Sequence, residues 1–205
     1  MKKQEYHHGN LKAKLLEIAF EFLSQNSTDK LTLKVLADAT NTSRSAIYRH
    51  FKSKDDLIEH MILKGFDKFD NAILNVFDNK EIPIVQRFFD GSKAYIDFAI
   101  KNPNLFRLLF GKKYAHIREE HYTIGENCNG FNALEQTIEE AQELGIVKKS
   151  DSLTQAIIIW SSLHGLATLI IDGFGDIENS YEHLHKELFQ TLLAGLTLDK
   201  SKKES

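Results

Sequence analysis

The sequence predicts an all-α fold, and two observations carry that prediction. Apolar residues recur at helical spacing along most of the 205-residue chain, whereas no segment sustains the two-residue alternation of a half-buried strand. Only two prolines occur, and both Pro83 and Pro103 stand near predicted helix starts, where proline is tolerated. With 42% hydrophobic residues, the chain can bury the core of one or two small domains.

The N-terminal part predicts a first helix, a pair of short helices and a long helix. An apolar stripe from Leu11 to Phe22 marks the first helix. Within residues 33–51, Thr32 and Ser43 can each cap a short helix, and Asn41 tolerates the positive φ of the turn between them. The long helix starts at a sequence that resembles a capping box, residues 53–56, and continues through residue 69.

The rest of the chain predicts further helices at 82–101, 103–112, 130–145, 150–173 and 179–198. The glycine- and asparagine-containing segment 111–130 between two of them is either a flexible loop or the site of a short helix. The polar segment 201–205 predicts a frayed tail.

The second short helix has the pattern of a DNA-reading helix. Projected at about 100° per residue, Ile47 and Phe51 share one stripe that should face the core. Arg49 lies at the centre of the opposite face, which a duplex can approach. Arg44 opens the helix, where it can meet a phosphate or a guanine. The other candidate base contacts are Ser45 and Ala46, and the candidate contacts at the groove walls are Tyr48 and His50; the cap residue Ser43 is a further candidate DNA contact.

Local charge supports DNA as the partner of this segment. Residues 30–54 carry six basic side chains and one acidic side chain, although the whole chain has a net charge of −3. A basic excess confined to one segment is the expected footprint of a phosphate-binding face. Two alternatives remain: a three-helix core with a solvated charged face, and a helix-turn-helix domain used only for protein contacts.

These motifs resemble a known family. Residues 36–39 (LADA), 46–51 (AIYRHF) and 53–54 (SK) are similar to the DNA-binding domain of tetracycline-repressor-like (TetR family) regulators, and the likeness extends upstream to residues 6–10. It implies a helix-turn-helix domain at 1–53, a ligand-binding and dimerisation domain at 54–200, and a linker helix that transmits the ligand signal. It also implies phosphate contacts by Thr32, Tyr48, His50 and Lys54. The sequence departs from the family pattern at Asn41, Thr42 and Ser45.

The segment 150–173 is apolar nearly all round, so it must be covered on every side. A twin helix from a second subunit is the simplest cover, and a central core helix in a monomer is the alternative. Residues 160–167 (WSSLHGLA) also resemble the WHG-type C-terminal domain of a TetR subset. We therefore expect a homodimer that reads a palindromic double-stranded operator. The candidate interface residues are Ile157, Leu163, Leu166 and Leu192.

Aromatic residues are dense between residues 66 and 122, which hold eleven of the 21 in the chain. They could line a pocket for an apolar or aromatic small-molecule effector, and they could equally be core packing. The candidate ligand contacts are Phe88, Tyr95, Phe98, Phe110 and Trp160.

Other functions find little support in the sequence. His116 and His121 are five residues apart, so they would not share a helix face as a zinc pair does, and we expect no metal or cofactor. The single cysteine, Cys128, excludes an internal disulfide and suits a cytoplasmic protein. We find no phosphate loop or nucleophile motif, no signal peptide and no apolar run near membrane-span length.

The sequence therefore predicts a ligand-responsive repressor. The alternatives are an activator, a DNA-binding protein without a ligand pocket and, more remotely, a small enzyme.

Overall fold

A computed structural model describes residues 11–124, 126–174 and 180–197. The predicted arm at residues 6–10 and the predicted tail at 201–205 lie outside these ranges. The described residues form helices joined by short connections, and the predicted all-α class is confirmed. The helices are α1 (Leu11–Gln25), α2 (Leu33–Thr40), α3 (Arg44–Tyr48), α4 (Lys54–Phe77), α5 (Ile84–Lys101), α6 (Pro103–Phe110), α7 (Ala115–His121), α8 (Asn129–Glu143), α9 (Ser152–Ile171) and α10 (Tyr181–Leu196), with a 3₁₀ turn, η1, at Lys112–Tyr114.

The segment 111–130 holds η1 and α7, so a short helix, and not a continuous loop, is the correct one of the two expectations for it. Pro103 is the first residue of α6, where its missing N–H costs no helical hydrogen bond. Pro83 stands directly before α5.

The chain folds into two compact units. Among the described residues, the first unit contains 11–67 together with 102–121, and the second contains the remainder. The segment 102–121 therefore folds with the N-terminal helices although it is remote from them along the chain. This grouping differs from the boundary that we expected at residue 53.

In the first unit, α1, α2 and the start of α4 surround a core that includes the buried stripe of α3. Ile47 and Phe51 are fully buried, as their spacing predicts. Helix α6 packs on α1 and α4: Asn104 Nδ2 donates to the Leu23 carbonyl over 3.0 Å, and Gly65 leaves room for α6, since a Cβ there would lie 2.8 Å from a methyl carbon of Leu109.

In the second unit, α9 packs against α5 and α8, and α10 lies against α5 and α9. Asp151 caps α9 by accepting the Thr154 N–H over 2.8 Å. Among residues 181–196 of α10, all of which the structure describes, only His185 is buried.

Helix α9 corrects one expectation. It has 20 residues and is long and apolar enough, by length and composition, to cross a membrane. The sequence alone predicted no such run, but α9 contains no Asp, Glu, Lys or Arg, and its polar positions include only uncharged residues such as Ser161 and Ser162 and the histidine His164. Since α9 packs against α5, α8 and α10, its length and composition are weak evidence for a span.

Candidate nucleic-acid interface

The caps of α2 and α3 form as their sequences predict. Thr32 Oγ1 accepts the Val35 N–H over 3.1 Å, and Ser43 Oγ accepts the Ala46 N–H over 3.3 Å. Asn41, which ends α2, has a φ of 49° in the left-handed region, and this turn directs the chain from α2 into α3. Local residue chemistry therefore positions the start of both short helices.

Helix α3 is shorter than the projected range 44–51. It ends at Tyr48, with Arg49 as its C-cap in right-handed helical conformation. The His50 N–H bonds back to the Ile47 carbonyl over 2.9 Å, and this tighter i−3 bond closes the helix. Because Arg49 keeps helical dihedrals, the projected directions hold through that residue.

The face opposite the buried stripe is exposed. Arg44, Ser45 and Arg49 are exposed, and Tyr48 is 55% exposed. Ala46 and His50 are half-buried. Ser45 Oγ lies 2.9 Å from Ser43 Oγ, so these two hydroxyls contact each other in the free protein.

A polar cluster fixes the connection from α3 to α4. The Lys52 N–H donates to Asp56 Oδ2 over 2.6 Å, and Asp56 Oδ1 lies 3.1 Å from His60 Nδ1. Lys12 Nζ lies 2.6 Å from His60 Nε2, and the His60 ring stands edge-on to Phe51, with 5.5 Å between centroids. These contacts join α1 and α4 to Phe51 and Lys52, which follow α3 in the chain.

Lys54, a predicted phosphate contact, has carbonyl partners in the structure. Its Nζ donates to the Thr28 carbonyl over 2.7 Å and to the Asp29 carbonyl over 3.3 Å. Lys54 therefore holds the α1–α2 loop against the start of α4. Its contact with phosphate stays a prediction.

The predicted ligand contacts fall into both units. In the second unit, Trp160 Nε1 donates to the Tyr95 hydroxyl over 3.1 Å, and that hydroxyl lies 2.8 Å from His164 Nδ1. Burial raises the pKa of Tyr95, so the hydroxyl keeps its proton. Phe69 contacts both Tyr95 and Phe98 edge-on.

The remaining aromatic candidates are packed. Phe88 is 8% exposed and belongs to the buried face of α5. Phe110 lies in the first unit, in contact with Phe66 and Phe106. These packing contacts agree with the core alternative, and contact of these aromatic residues with a ligand stays a prediction.

The candidate dimer residues differ in exposure. Ile157 is 39% exposed, and Leu166 and Leu192 are half-buried. Leu163 is 5% exposed and thus belongs to the inner face of α9, which is already covered within the chain. The exposed apolar residues of α9 are Leu153, Ile157, Ile158 and Leu169.

The chain matches two family descriptions in sequence order. Residues 15–61 match "Bacterial regulatory proteins, tetR family", and residues 88–195, more than half of the chain, match "Tetracyclin repressor-like, C-terminal domain". The chain belongs to the tetR family. The tetR-family N-terminal match covers α2 and α3, so the chain is a DNA-binding transcriptional regulator. The C-terminal match does not confirm the narrower likeness to the WHG-type subset.

Individual tetR-family relatives are distant in sequence. The negative transcriptional regulator of the biofilm operon icaADBC, IcaR of Staphylococcus aureus, is 22% identical over 192 residues, which cover 89% of this chain and 97% of IcaR. The nucleoid occlusion factor SlmA of Haemophilus influenzae is 30% identical over 116 residues, 55% of this chain and 50% of SlmA.

Solved structures share the fold. A Rhodococcus protein of unknown function is 24% identical with a TM-score of 0.78, and the match covers 96% of this chain and 100% of that one. A tetR-family regulator from Pectobacterium atrosepticum is 20% identical with a TM-score of 0.73, covering 96% and 99%.

Sequence reasoning missed the residues that support the interface from a distance. Lys113 of η1 bonds to Asp29 of the α1–α2 loop, and His121 Nε2 lies 3.0 Å from Glu59 Oε1 on α4. The sequence pattern indicates His121 only as a candidate metal ligand. No local pattern marks these pairs, because their members are more than 60 residues apart.

Proposed function

We propose that this tetR-family regulator is a repressor that binds a palindromic operator as a homodimer and is released by a small molecule. The observation that carries the DNA-binding part is the two-sided character of α3. Its apolar stripe is fully buried while Arg44, Ser45, Tyr48 and Arg49 remain exposed. A helix held in this way presents a fixed set of side chains to a major groove.

The side chains divide by role. Arg49, Ser45 and Ala46 lie on the outward face and would meet base edges, and Arg44 would bond a guanine or a phosphate. Thr32, Tyr48, His50 and Lys54 would contact phosphates on either side of the groove. Ser43 would position α3 through its cap. Base contacts would then determine which operator sequence is bound, and phosphate contacts would fix the position and orientation of the protein on the duplex.

Repression is proposed from the relatives. IcaR is named as a negative regulator, and its likeness covers nearly the whole of both chains. A repressor and an activator would make the same operator contacts. Whether this protein represses or activates transcription therefore has to be measured. A reporter gene placed behind the selected operator should rise in expression when this protein is absent.

A homodimer is supported by the exposed face of α9. Ile157 is 39% exposed and Ile158 is 54% exposed, whereas the opposite face of α9 is buried at Ile159 and Leu163. Burying these side chains against a twin helix would remove apolar surface from water. Two α3 helices about one duplex turn apart would then match two half-sites.

The effector site is proposed around the Tyr95 hydroxyl. The Trp160 indole and the His164 ring meet there, and the surrounding side chains are aromatic. A flat or apolar molecule with one polar group would suit this chemistry. Helix α4 contributes residues to both units, so a ligand that favours one position of α4 would shift the separation of the two α3 helices.

The test is selection of tight sites from genomic fragments, followed by binding measurements with variants. Arg49→Ala and Tyr48→Ala should weaken binding to the selected operator, while the exposed Lys101→Ala of α5 should leave it unchanged. A palindromic site would support a dimer. Unchanged affinity in both α3 variants would overturn the assignment of this face, and circular dichroism would confirm that the variants remain folded.

A further inference from the structure

The loop between α1 and α2 is tied to a turn that lies outside the helix-turn-helix segment. Lys113 Nζ donates to Asp29 Oδ1, and Lys54 Nζ donates to the Asp29 carbonyl over 3.3 Å. Asp29 precedes Thr32, a proposed phosphate contact, by three residues. Two ammonium groups therefore lie within a few residues of the phosphate-facing start of α2.

The turn η1 adds exposed positive charge at this place. Lys112 and Lys113 are both exposed, and the adjoining loop and helix carry the exposed Lys30 and Lys34. The carboxylate of Asp29 is the acidic group next to them. Its bond to Lys113 lowers its pKa, so it stays ionised under ordinary conditions.

The pair is too exposed to hold the fold by itself. The side chains of Lys113 and Asp29 are 57% and 71% exposed, and ion pairs in water contribute little stability. The charges of Lys113 and Asp29 affect the binding of a polyanion such as DNA more than they affect the stability of the fold. An unpaired Asp29 would repel the backbone of a bound duplex, whereas Lys113 neutralises it and can also reach toward a phosphate.

We propose that Lys112 and Lys113 extend the DNA-binding surface, contacting operator phosphates beside the one bound by Thr32. When the operator binds, Lys113 keeps its bond to Asp29 and donates a second ammonium N–H to a phosphate oxygen. The partner of this surface is duplex DNA, and the inference rests on the proposed operator contacts of α2 and α3. These lysines contribute affinity without sequence preference, because phosphates carry no base identity.

The test is the salt dependence of operator binding in Lys112→Gln, Lys113→Gln and the double variant. Each lost phosphate contact should lower the slope of log affinity against log salt by about 0.9. Between about 50 and 200 mM salt, each contact then accounts for about a threefold change in affinity. Lys101→Gln is the matched control, since Lys101 is exposed but belongs to the second unit; its slope should equal that of the wild type.

Asp29→Asn separates this role from a purely structural one. If Lys113 contacts an operator phosphate, Asp29→Asn removes a repulsive charge and releases Lys113 from its ion pair. Operator binding then tightens, and the slope of log affinity against log salt is retained. If the pair only fixes the loop, Asp29→Asn weakens binding as Lys113→Gln does, which overturns the proposal. A double lysine variant with the wild-type slope also overturns it.

The α3 variants distinguish failure here from failure of the proposed function. When Arg49→Ala weakens operator binding and the lysine variants keep the wild-type slope, only this inference is wrong. When Arg49→Ala and Tyr48→Ala both leave affinity unchanged, the proposed DNA-reading face is itself wrong, and the inference falls with it.

Discussion

The Arg87 guanidinium on α5 holds both carboxylate oxygens of Glu140 on α8. Arg87 Nη1 donates to Glu140 Oε2 over 3.0 Å, and Nη2 donates to Oε1. The Arg87 side chain is 3% exposed and the Glu140 side chain is 33% exposed. This two-pronged pair joins two helices of the second unit, and the exposed Lys80 adds a further bond to Glu140 over 2.8 Å.

Arg87→Met should destabilise the protein by about 2 kcal/mol. The substitution removes the buried guanidinium that binds Glu140, and only the exposed part of the Glu140 carboxylate can be hydrated instead. Lys80→Met is the matched control: it removes an exposed partner of the same carboxylate and should cost well under about 1 kcal/mol. Urea unfolding measures both. Equal losses in the two variants would contradict the distinction.

Glu140 should make stability fall in acid. Hydrogen bonds from Arg87 and Lys80 lower the pKa of Glu140 to about 2, below the ordinary value of about 4.3 for glutamate. The unfolded chain therefore takes up the proton first, so this contribution is present above about pH 4.5 and is lost as the pH falls toward about 2. Unfolding followed across this range should show a smaller acid loss in Glu140→Gln than in the wild type.

His185 should produce a second loss at milder pH. Its Nε2 lies 2.7 Å from Ser92 Oγ, and that hydroxyl donates to the Phe89 carbonyl, so Nε2 carries the proton. Burial, followed by the nearby Lys93, lowers the pKa of His185, while Asp97 and Asp90 oppose the shift. The neutral ring is therefore the form that the folded protein prefers.

The contribution of His185 to the free energy of unfolding should therefore be fully present above the ordinary histidine pKa of about 6.5. It should decrease as the pH falls below that value, because the unfolded chain binds the proton first. Unfolding midpoints of the wild type and His185→Gln, compared between about pH 7.5 and pH 5.5, measure this step. A step of equal size in His185→Gln would show that another group titrates.

The exposed face of α9 should govern oligomeric state. Ile158 is 54% exposed, and Ile158→Glu would bring two like charges into a twin-helix interface. Sedimentation velocity should then show a monomer at concentrations where the wild type is a dimer. Leu144→Glu makes the same change at a 61% exposed leucine after α8 and should leave the dimer intact. A dimeric Ile158→Glu protein would place the interface elsewhere.

The turn before α3 should prefer glycine to alanine. Asn41 has a φ of 49° and a ψ of 40°, which costs an L-residue with a Cβ about 1 kcal/mol or more. Asn41→Ala should lower the unfolding temperature, and Asn41→Gly should match or exceed the wild type. The reverse order would indicate that the Asn41 side chain makes a contact that outweighs the backbone term.

The sequence by itself determined the all-α class, most of the helices and the two faces of α3. Caps at Thr32 and Ser43, the turn at Asn41 and the spacing of Ile47 and Phe51 are local features, and periodicity together with residue chemistry is sufficient to predict them. The end of α3 at Tyr48 was not predicted, because it depends on a single tighter hydrogen bond that periodicity does not report.

Tertiary structure decided which distant residues meet. Only folding brings Lys113 to Asp29, gives Lys54 its loop carbonyls and buries His185 against Ser92. It also groups residues 102–121 with the N-terminal helices. Each of these contacts joins residues at least 25 positions apart. Local patterns fix which face of a helix is apolar, but the path of the whole chain determines which helix covers that face.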